Sequence, residues 1–300
     1  MTKKIFMELL TEELRKHFPP DEYELNGDVF LKNNDTKRHG IVIRRIGGVI
    51  APTVYIDHFY SDYCKKKNTV EEIAFQIYMA IKGFDVQEDQ YRTFSADFQT
   101  CKEKIIYRLV SKERNETYLA GIPHLPFLDL AVVFLIVHHL SEDGLESICV
   151  TNELQKKWNI STKDLFSLAA ENTPRILPPD IDTMAHTIET LFGEFANDIL
   201  ESDDMAPHIY ILSNQYRING AATLLYEGLI QELADRMNCN LYVLPSSIHE
   251  LLLIPDANGK SLEGLSRMVK DINENHVKEE EILSDRAYYY NREEKRFFLS

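Results

Sequence analysis

Asn240-Leu-Tyr-Val-Leu-Pro-Ser-Ser-Ile-His-Glu-Leu-Leu-Leu-Ile-Pro255 is the stretch that decides the fold of this chain. It holds two apolar runs, Leu241–Leu244 and Leu251–Ile254, on either side of a short polar link. Short apolar runs that are bounded by Asn, Pro and Ser are typical of strands buried on both faces. We therefore expect the link to reverse the chain, so that the two strands lie antiparallel inside the C-terminal half.

The polar link is also the densest cluster of reactive side-chain types, because it contains Ser246, Ser247, His249 and Glu250. One interpretation is a hydrolytic site, in which a histidine takes the proton of a serine and an acid orients the histidine. The other is a turn whose serine hydroxyls bond free backbone groups while His249 and Glu250 hold the next strand. The chain has no Gly-x-Ser-x-Gly sequence, so these residues are candidates and no catalytic residue is assigned.

Two more pairs of apolar segments, over residues 127–150 and 287–299, predict hairpins of the same kind. Hairpins favour an α+β fold, with mostly antiparallel sheets covered by helices, over a doubly wound parallel sheet. Residues 1–92 are predicted to form a small N-terminal αβββα unit. Residues 93–300 are predicted to form a larger α+β unit, either as a separate domain or around a shared core.

Apolar residues at helical spacing predict several helices. Ser161 is expected to cap one of them, which should end at Thr173-Pro174. Two longer helices are expected over residues 184–199 and 221–233. Ser95 is expected to cap a further helix with an apolar face of Phe98, Cys101, Ile105, Ile106 and Leu109.

Composition limits the classes of partner. The 300-residue chain is 44% apolar and 27% charged, with a formal net charge of −15. Excess acid argues against sequence-independent binding to nucleic acid, which needs Lys and Arg against phosphate. It can indicate a protein partner with a basic surface or mimicry of a nucleic acid, and the commoner case is surplus charge that simply aids solubility. The longest apolar stretch, Leu125–Val137, contains Asp129 and is too short to span a bilayer, so no membrane segment is expected.

The four cysteines are far apart and form no Cys-x-x-Cys pair, which is typical of a reduced, cytoplasmic protein: Cys64, Cys101, Cys149 and Cys239. No metal or other cofactor is predicted. His249-Glu250 lacks the second histidine of a zinc-protease helix, since the required position holds Leu253. Gly259-Lys260-Ser261 lacks the first glycine of a phosphate-binding loop, since that position holds Ile254.

Two places are weak candidates for binding an anionic ligand. Asn214, Arg217 and Asn219 lie between a predicted strand and a predicted helix, where a helix N-terminus and a guanidinium attract negative charge. Arg175 follows Asn-Thr-Pro and is the second candidate. The alternative at the first place is turn formation and helix capping, and at Arg175 it is an ion pair with a surface acid.

Several stretches of the chain resemble a known family. They are Ile50-Ala-Pro-Thr-Val-Tyr-Ile-Asp-His-Phe-Tyr60, Ile122-Pro-His-Leu-Pro-Phe-Leu-Asp-Leu-Ala131, Ala170-Glu-Asn-Thr-Pro-Arg175, Leu212-Ser-Asn214, Gly220-Ala-Ala222, Leu225-Tyr226, Leu244-Pro-Ser-Ser-Ile-His-Glu250 and Leu283-Ser-Asp285. The family consists of uncharacterised proteins of about this length, common in gut Clostridia and described only as a domain of unknown function. The strand order of the C-terminal half is also faintly similar to the YtpQ-like family. The resemblance implies a bacterial cytoplasmic protein and supplies no catalytic residue.

The absence of a complete catalytic, metal or nucleotide motif, together with the acidic surplus, favours a non-enzymatic protein-binding or regulatory protein. The alternative is a hydrolase or small-ligand-binding enzyme centred on Ser246-Ser247-Ile248-His249-Glu250. The two hypotheses differ in whether residues 213–220 and 245–250 meet around a concave site.

Overall fold

The computed structural model describes residues 1–47, 51–85, 97–141, 144–192, 209–256 and 261–299. Every strand pair in this part of the chain is antiparallel. The protein is therefore an α+β protein with antiparallel sheets, as the hairpin signals predict. It forms two compact units, which we call unit 1 (residues 1–95) and unit 2 (residues 96–300).

Unit 1 is a three-stranded sheet with helices before and after it. Its strands lie in the order β1-β2-β3. Its elements are α1 (Lys3–Leu14), β1 (Tyr23–Leu31), β2 (Lys37–Arg45), β3 (Thr53–Tyr55), α2 (Asp57–Cys64) and α3 (Val70–Asp85).

Local sequence explains the boundaries in unit 1. Asn34 and Asp35, in the turn between β1 and β2, have φ angles of 61° and 49°, which Asn and Asp tolerate better than other non-glycine residues. At the start of α3, the Thr69 hydroxyl accepts from the Glu72 N–H and the Glu72 carboxylate accepts from the Thr69 N–H. This reciprocal pair is a capping box. The core beneath the sheet is formed by Phe6, Leu10, Leu14, Phe18, Ile41, Ile43, Ile56, Ile73 and Ile77.

Unit 2 contains two sheets and the helices around them. Its elements up to the second sheet are α4 (Phe98–Cys101), β4 (Ile105–Ser111), α5 (Glu116–Ala120), β5 (His124–Phe127), β6 (Leu130–Ser141), β7 (Gly144–Cys149), α6 (Asn152–Trp158) and α7 (Thr162–Ile176). The remaining ones are β8 (Pro179–Thr183), α8 (Met184–Phe192), β9 (Tyr210–Asn214), a 3-10 helix (Gly220–Leu225), α9 (Leu229–Met237), β10 (Leu241–Leu244), β11 (Leu251–Pro255), α10 (Leu262–His276), β12 (Tyr288–Asn291) and β13 (Arg296–Leu299).

The first sheet of unit 2 is built around β6. One edge of β6 pairs with β4, and the other pairs first with β5 and then with β7. All residues of β6 from Leu130 to Val137 are buried, which explains why this segment reads as one apolar run. The hairpin of β6 and β7 is the one predicted over residues 127–150.

The second sheet has the strand order β13-β12-β10-β11-β9-β8. Its centre is the hairpin predicted from the opening stretch, because Leu241 pairs with Pro255 and Leu244 with Leu252. The hairpin of β12 and β13 is also confirmed. The predicted cap of α7 is present, since the hydroxyl of Ser161 accepts the N–H of Asp164. The hydroxyl of Ser261 caps α10 in the same way, by accepting the N–H of Gly264.

One predicted helix is wrong. Phe98–Cys101 forms a single helical turn, and Ile105–Ser111 is a strand. Six of the seven residues of this strand are buried, so apolar side chains face both sides of the sheet and coincide with helical spacing by accident. The predicted cap Ser95 lies outside the described residues, and Asp97 caps the turn.

Two predicted helix boundaries are also wrong. Helix α7 continues through Pro174 to Ile176, because Pro174 lies in its last turn and the backbone N–H of Leu177 still reaches Thr173. The helix expected over residues 221–233 is interrupted by Gly228, whose φ is +72°; a 3-10 helix precedes this glycine and α9 follows it. Residues 193–199 of the predicted helix 184–199 and the Gly259-Lys260 pair lie outside the described residues.

Candidate functional site

The Ser246–Glu250 link is fastened to a second segment by backbone hydrogen bonds. The N–H of Ile248 donates to the carbonyl of Glu281 at 2.9 Å, and the carbonyl of Ser246 accepts from the N–H of Leu283 at 3.0 Å. Ser247 forms an isolated bridge with Ile282. The link therefore has a fixed backbone position beside residues 281–284.

The hydroxyl of Ser247 and the imidazole of His249 both accept backbone N–H groups. Ser247 Oγ lies 3.1 Å from the backbone nitrogen of His249. His249 Nδ1 lies 3.4 Å from the backbone nitrogen of Asn219. A histidine that accepts at Nδ1 carries its proton on Nε2, whereas a Ser-His-acid triad needs the proton on Nδ1 and a free Nε2. Ser246 is 9% exposed, and Glu250 is half-buried. The hydrolytic interpretation of these four residues stays a prediction.

Residues 213–220 and 245–250 do meet. Ser213 Oγ donates to the carbonyl of His249 at 2.7 Å, and the N–H of Ala221 donates to the carbonyl of Ile248 at 3.2 Å. A Cβ atom at Gly220 would collide with both Ser213 Oγ and the His249 carbonyl. The contact is a close approach of two backbones, and the space between them is filled.

Asn214, Arg217 and Asn219 shape a turn. Asn214 is fully buried; its amide donates to the Ile218 carbonyl at 2.7 Å, and its Oδ1 accepts from the N–H of Tyr216 at 3.0 Å. Arg217 and Asn219 have φ angles of 55° and 52°. The exposed Arg217 guanidinium pairs with Asp180 at 3.1 Å, so its charge is already matched by a carboxylate. Anion binding by this turn stays a prediction.

Arg175 is held against the segment that precedes β4. Its Nη2 donates to the Glu103 carbonyl at 2.7 Å and to Asn172 Oδ1 at 2.8 Å. The amide of Asn172 in turn donates to the carbonyls of Lys102 and Ile105. Arg175 thus fastens the end of α7 to the start of β4, and its predicted role as an anion contact also stays a prediction.

A cavity of about 550 Å³ lies elsewhere in unit 2, where α5 approaches the turn between β5 and β6. Leu128 and Asp129 form that turn, since Phe127 and Leu130 are paired with each other. Leu128 has a φ of +54°, which is rare for a leucine and carries strain. The lining residues, which we call the hairpin pocket, are Lys112, Glu113, Glu116, Leu119, Ala120, His124, Leu128 and Asp129.

The carboxylate of Asp129 is fixed in place by two hydroxyl groups. Tyr288 donates to Oδ1 at 2.5 Å and Ser284 donates to Oδ2 at 2.6 Å. Burial raises the pKa of Tyr288 well above its ordinary value, so the phenol keeps the proton that it donates. The Asp129 carbonyl accepts from the N–H of Lys112 at 3.1 Å. One wall of the hairpin pocket is therefore rigid and negatively charged.

Two more carboxylates line the hairpin pocket. Glu113 and Glu116 are exposed, and neither side-chain carboxylate forms an ion pair or hydrogen bond with another residue that the structure describes. Leu119, Ala120 and Leu128 give the pocket an apolar surface. Three carboxylates outnumber the single lysine, Lys112. The arrangement suits a cationic group on an aliphatic stem.

His124 adds one titratable group to the hairpin pocket. Its Nδ1 lies 3.1 Å from the carbonyl of Ile122. Because a carbonyl only accepts, Nδ1 carries a proton in this arrangement, and the neutral ring leaves Nε2 as an acceptor. His124 is thus held in one orientation by the loop that precedes β5.

The sequence alone does not predict the hairpin pocket. Residues 127–140 have the pattern of one strand, in which Asp129 is a single charge within an apolar stretch. A signal was available, because Leu128-Asp129 stands between two β-forming runs at the spacing of a two-residue hairpin turn. The partners of Asp129 could not be found in this way, since Tyr288 is 159 positions away.

Three general features of the described residues concern metal ligands, membrane-spanning helices and thiols. Within the described ranges, there is no group of three or more His, Cys, Asp or Glu residues that could hold a metal ion. The helices in the same ranges include none that is long and apolar enough to cross a membrane. All four cysteines are free thiols.

Comparison with known proteins gives a single kind of match. The model of a family described as a family of unknown function, DUF5688, matches residues 3–292. No curated protein and no solved structure matches.

Proposed function

This chain belongs to the DUF5688 family, whose function is unknown, and we propose that it is a non-enzymatic protein-binding protein. The hairpin pocket receives a lysine or arginine side chain from a basic surface of the partner. The observation that carries the proposal is the pair of unpaired carboxylates, Glu113 and Glu116, beside the fixed carboxylate of Asp129.

Charge supports a cationic occupant. A cation that enters the hairpin pocket meets three carboxylates and one lysine, so the attraction exceeds the repulsion. At the surface of a protein, opposite unit charges about 4 Å apart interact by about 4 kcal/mol before the cost of desolvation. The net charge of −15 also accelerates the encounter with a basic partner over longer distances.

The shape of the hairpin pocket supports an occupant that is a side chain projecting from a larger molecule. Four of the eight lining residues are exposed: Lys112, Glu113, Glu116 and Ala120. The pocket is therefore open to solvent on one side, and its apolar surface at Leu119 and Leu128 can cover the methylene groups of a lysine or arginine stem. The hydrogen bonds to Asp129 keep its carboxylate in place before binding, which reduces the entropic cost of association.

The cysteines support the cellular compartment that we propose for this protein. Four free thiols support a reducing compartment, and we place the protein and its basic partner in the cytoplasm.

The experiment titrates two matched probes into the full chain and follows backbone amide resonances by NMR. The probes are Nα-acetyl-lysine amide and Nα-acetyl-norleucine amide, which differ chiefly in the terminal ammonium group. We expect the lysine probe to shift the resonances of Leu119, Ala120 and Leu128, and the norleucine probe to leave them unchanged. Free putrescine serves as a third probe, because tighter binding of this diamine would contradict a protein partner.

A matched pair of double variants separates the pocket from general acidity. Glu113→Gln/Glu116→Gln should weaken lysine binding about tenfold, since two surface charge interactions of about 0.7 kcal/mol each are lost. Glu153→Gln/Glu171→Gln removes the same charge from exposed helix positions outside the pocket and should change the affinity less than twofold. Equal losses in the two variants would refute the assigned pocket.

A further inference from the structure

The outer edge of β1, in unit 1, is not paired with any strand of the described ranges. The strand order β1-β2-β3 places β2 on one edge of β1 only. Strand β1 is nine residues long, and it contains neither a proline nor a bulge. Prolines, bulges and very short edge strands are common ways in which proteins prevent an edge from pairing with another chain. The outer edge of β1 lacks all three.

The hydrogen bonds just beyond the two ends of β1 show which of its backbone groups point outwards. The N–H of Lys32 donates to the Thr36 carbonyl, and the N–H of Ile46 donates to the Glu22 carbonyl. The register between these two bonds is unbroken. Because bonded and non-bonded pairs alternate in an antiparallel ladder, even-numbered residues of β1 face β2 and odd-numbered residues face away from it. Three of the outward N–H groups have no acceptor in the described part of the chain: those of Leu25, Gly27 and Leu31.

Two exposed apolar side chains belong to the same odd-numbered row. A Cβ atom at Gly27 would meet the side chain of Met7 in α1 at 3.2 Å, so this row lies on the face of the sheet that α1 covers. Leu25 in the row is 9% exposed, whereas Val29 and Leu31 are 45% and 38% exposed. A further strand with apolar residues opposite Val29 and Leu31 would remove both side chains from water.

We propose that the outer edge of β1 pairs antiparallel with β1 of a second copy of this chain, with Gly27 of one copy opposite Gly27 of the other. In this register Val29 lies opposite Leu25 of the second copy, and Leu31 lies opposite Tyr23. The N–H groups of Leu25, Gly27 and Leu31 each gain a carbonyl acceptor across the two-fold axis. The exposed end of the apolar row in each copy meets the covered end in the other.

Charge favours this register over the neighbouring ones. With Gly27 on the axis, Asp28 lies opposite Asn26, and Glu24 lies opposite Phe30. An axis at residue 28 would place the two Asp28 carboxylates opposite each other, and an axis at residue 26 would place Glu24 opposite Asp28. Like charges directly opposite are destabilising. The proposed register opposes no like charges and overlaps the two strands over their whole length.

The pairing is compatible with the bonds that each chain already makes. The N–H of Val29 donates to Asp28 Oδ1 at 2.7 Å, and the three free donors suffice without it. Both copies use the same edge, so the assembly closes at a dimer. The hairpin pocket belongs to unit 2, so the dimer is tested independently of the proposed protein-binding function.

The first experiment measures the dissociation constant of the dimer by sedimentation velocity of the full chain over a range of concentrations. Val29→Lys should raise this constant about tenfold or more, because a charge enters the apolar row opposite Leu25. Ile148→Lys is the matched control: Ile148 is 43% exposed on β7, and the substitution changes the net charge equally. Its dissociation constant should match that of the unaltered chain. A chain that stays monomeric, or equal losses in the two variants, would overturn the proposal.

The second experiment tests the register with disulfides, in a Cys64→Ser chain that lacks the exposed thiol. Asn26→Cys in one copy and Asp28→Cys in the other place two Cβ atoms about 5 Å apart, within reach of a disulfide. Identical cysteines in two copies of one variant lie diagonally, about 7–8 Å apart. A mixture of the two variants should therefore form linked heterodimers faster than either variant forms linked homodimers. Equal rates would overturn the register.

The third experiment needs no variant. Hydrogen–deuterium exchange of the full chain is followed by mass spectrometry at low and high protein concentration. A peptide over residues 23–31 should exchange more slowly at high concentration, because the outward N–H groups become bonded in the dimer. A dimer in which this peptide exchanges at an unchanged rate would overturn β1 as the interface.

Discussion

The hydroxyl of Tyr288 donates a 2.5 Å hydrogen bond to Oδ1 of Asp129. Tyr288 is fully buried and lies on β12, whereas Asp129 lies in the turn between β5 and β6. The bond joins the two sheets of unit 2 and also fixes one wall of the hairpin pocket.

Tyr288→Phe should lower the free energy of unfolding by about 2 kcal/mol, because a charged acceptor loses a buried donor. Urea denaturation of the full chain measures the change. Tyr289→Phe is the matched control on the neighbouring residue, since its hydroxyl bonds Asp256 and Asn240 at a half-buried position, and it should cost less than about 1 kcal/mol. Equal losses of unfolding free energy in the two variants would show that the Tyr288–Asp129 bond stabilises the fold no more than the Tyr289 bonds do.

Stability should fall steeply as the pH rises above about 10, the ordinary pKa of tyrosine. Burial raises the pKa values of Tyr118 and Tyr242 to about 12 and those of Tyr107 and Tyr226 further. A raised pKa in the folded state means that the neutral phenol stabilises the fold fully below about pH 10 and loses this effect as the pH approaches the folded-state value. Tyrosinate absorbance and circular dichroism should therefore change together between about pH 10 and 12. Complete tyrosine ionisation in a still folded chain would contradict the burial of these residues.

Gly220→Ala should destabilise unit 2 by about 2–4 kcal/mol, because the added Cβ collides with Ser213 Oγ and the His249 carbonyl. Ser213→Ala in the same chain should restore only part of the loss, since the carbonyl remains. Gly121→Ala is the control: its nearest neighbour would be the Tyr118 carbonyl at 3.8 Å, and the cost should stay within about 0.5 kcal/mol. Thermal unfolding of the three variants measures these differences.

A fluorophosphonate probe, which reacts with activated serines, should not label Ser246 or Ser247. Ser247 Oγ accepts from the His249 N–H and His249 Nδ1 accepts from the Asn219 N–H, so the imidazole has the opposite proton arrangement to a triad. Labelling is measured by intact mass. Labelling that disappears in Ser246→Ala or Ser247→Ala would instead establish the hydrolase hypothesis.

The parts of the fold that sequence predicts well are those in which adjacent segments decide the structure. The β10–β11 hairpin follows from two apolar runs and a polar link, and the start of α7 follows from the Ser161 cap. Ile105–Ser111 was predicted wrongly because a strand buried on both faces has no alternating pattern, so that packing against β6 alone decides its conformation.

The candidate sites were less predictable than the fold. Ser246, Ser247 and His249 are candidates because they are close in sequence, yet their hydrogen bonds hold the backbone of the turn. The residues of the hairpin pocket come from the segment that follows β4, from α5, from β5 and from the turn between β5 and β6. Each of these facts depends on distances between segments of the folded chain, and the spacing of residues in the sequence does not predict those distances.

The distance in sequence between Asp129 and Tyr288 also has a consequence for protein synthesis. The four strands of the first sheet lie within residues 105–149, so they can pair while the rest of the chain is still on the ribosome. The two hydroxyl donors for the Asp129 carboxylate, Ser284 and Tyr288, are translated 155 and 159 residues later. The hairpin pocket therefore gains its rigid wall only after β12 has been translated, long after the strands of the first sheet.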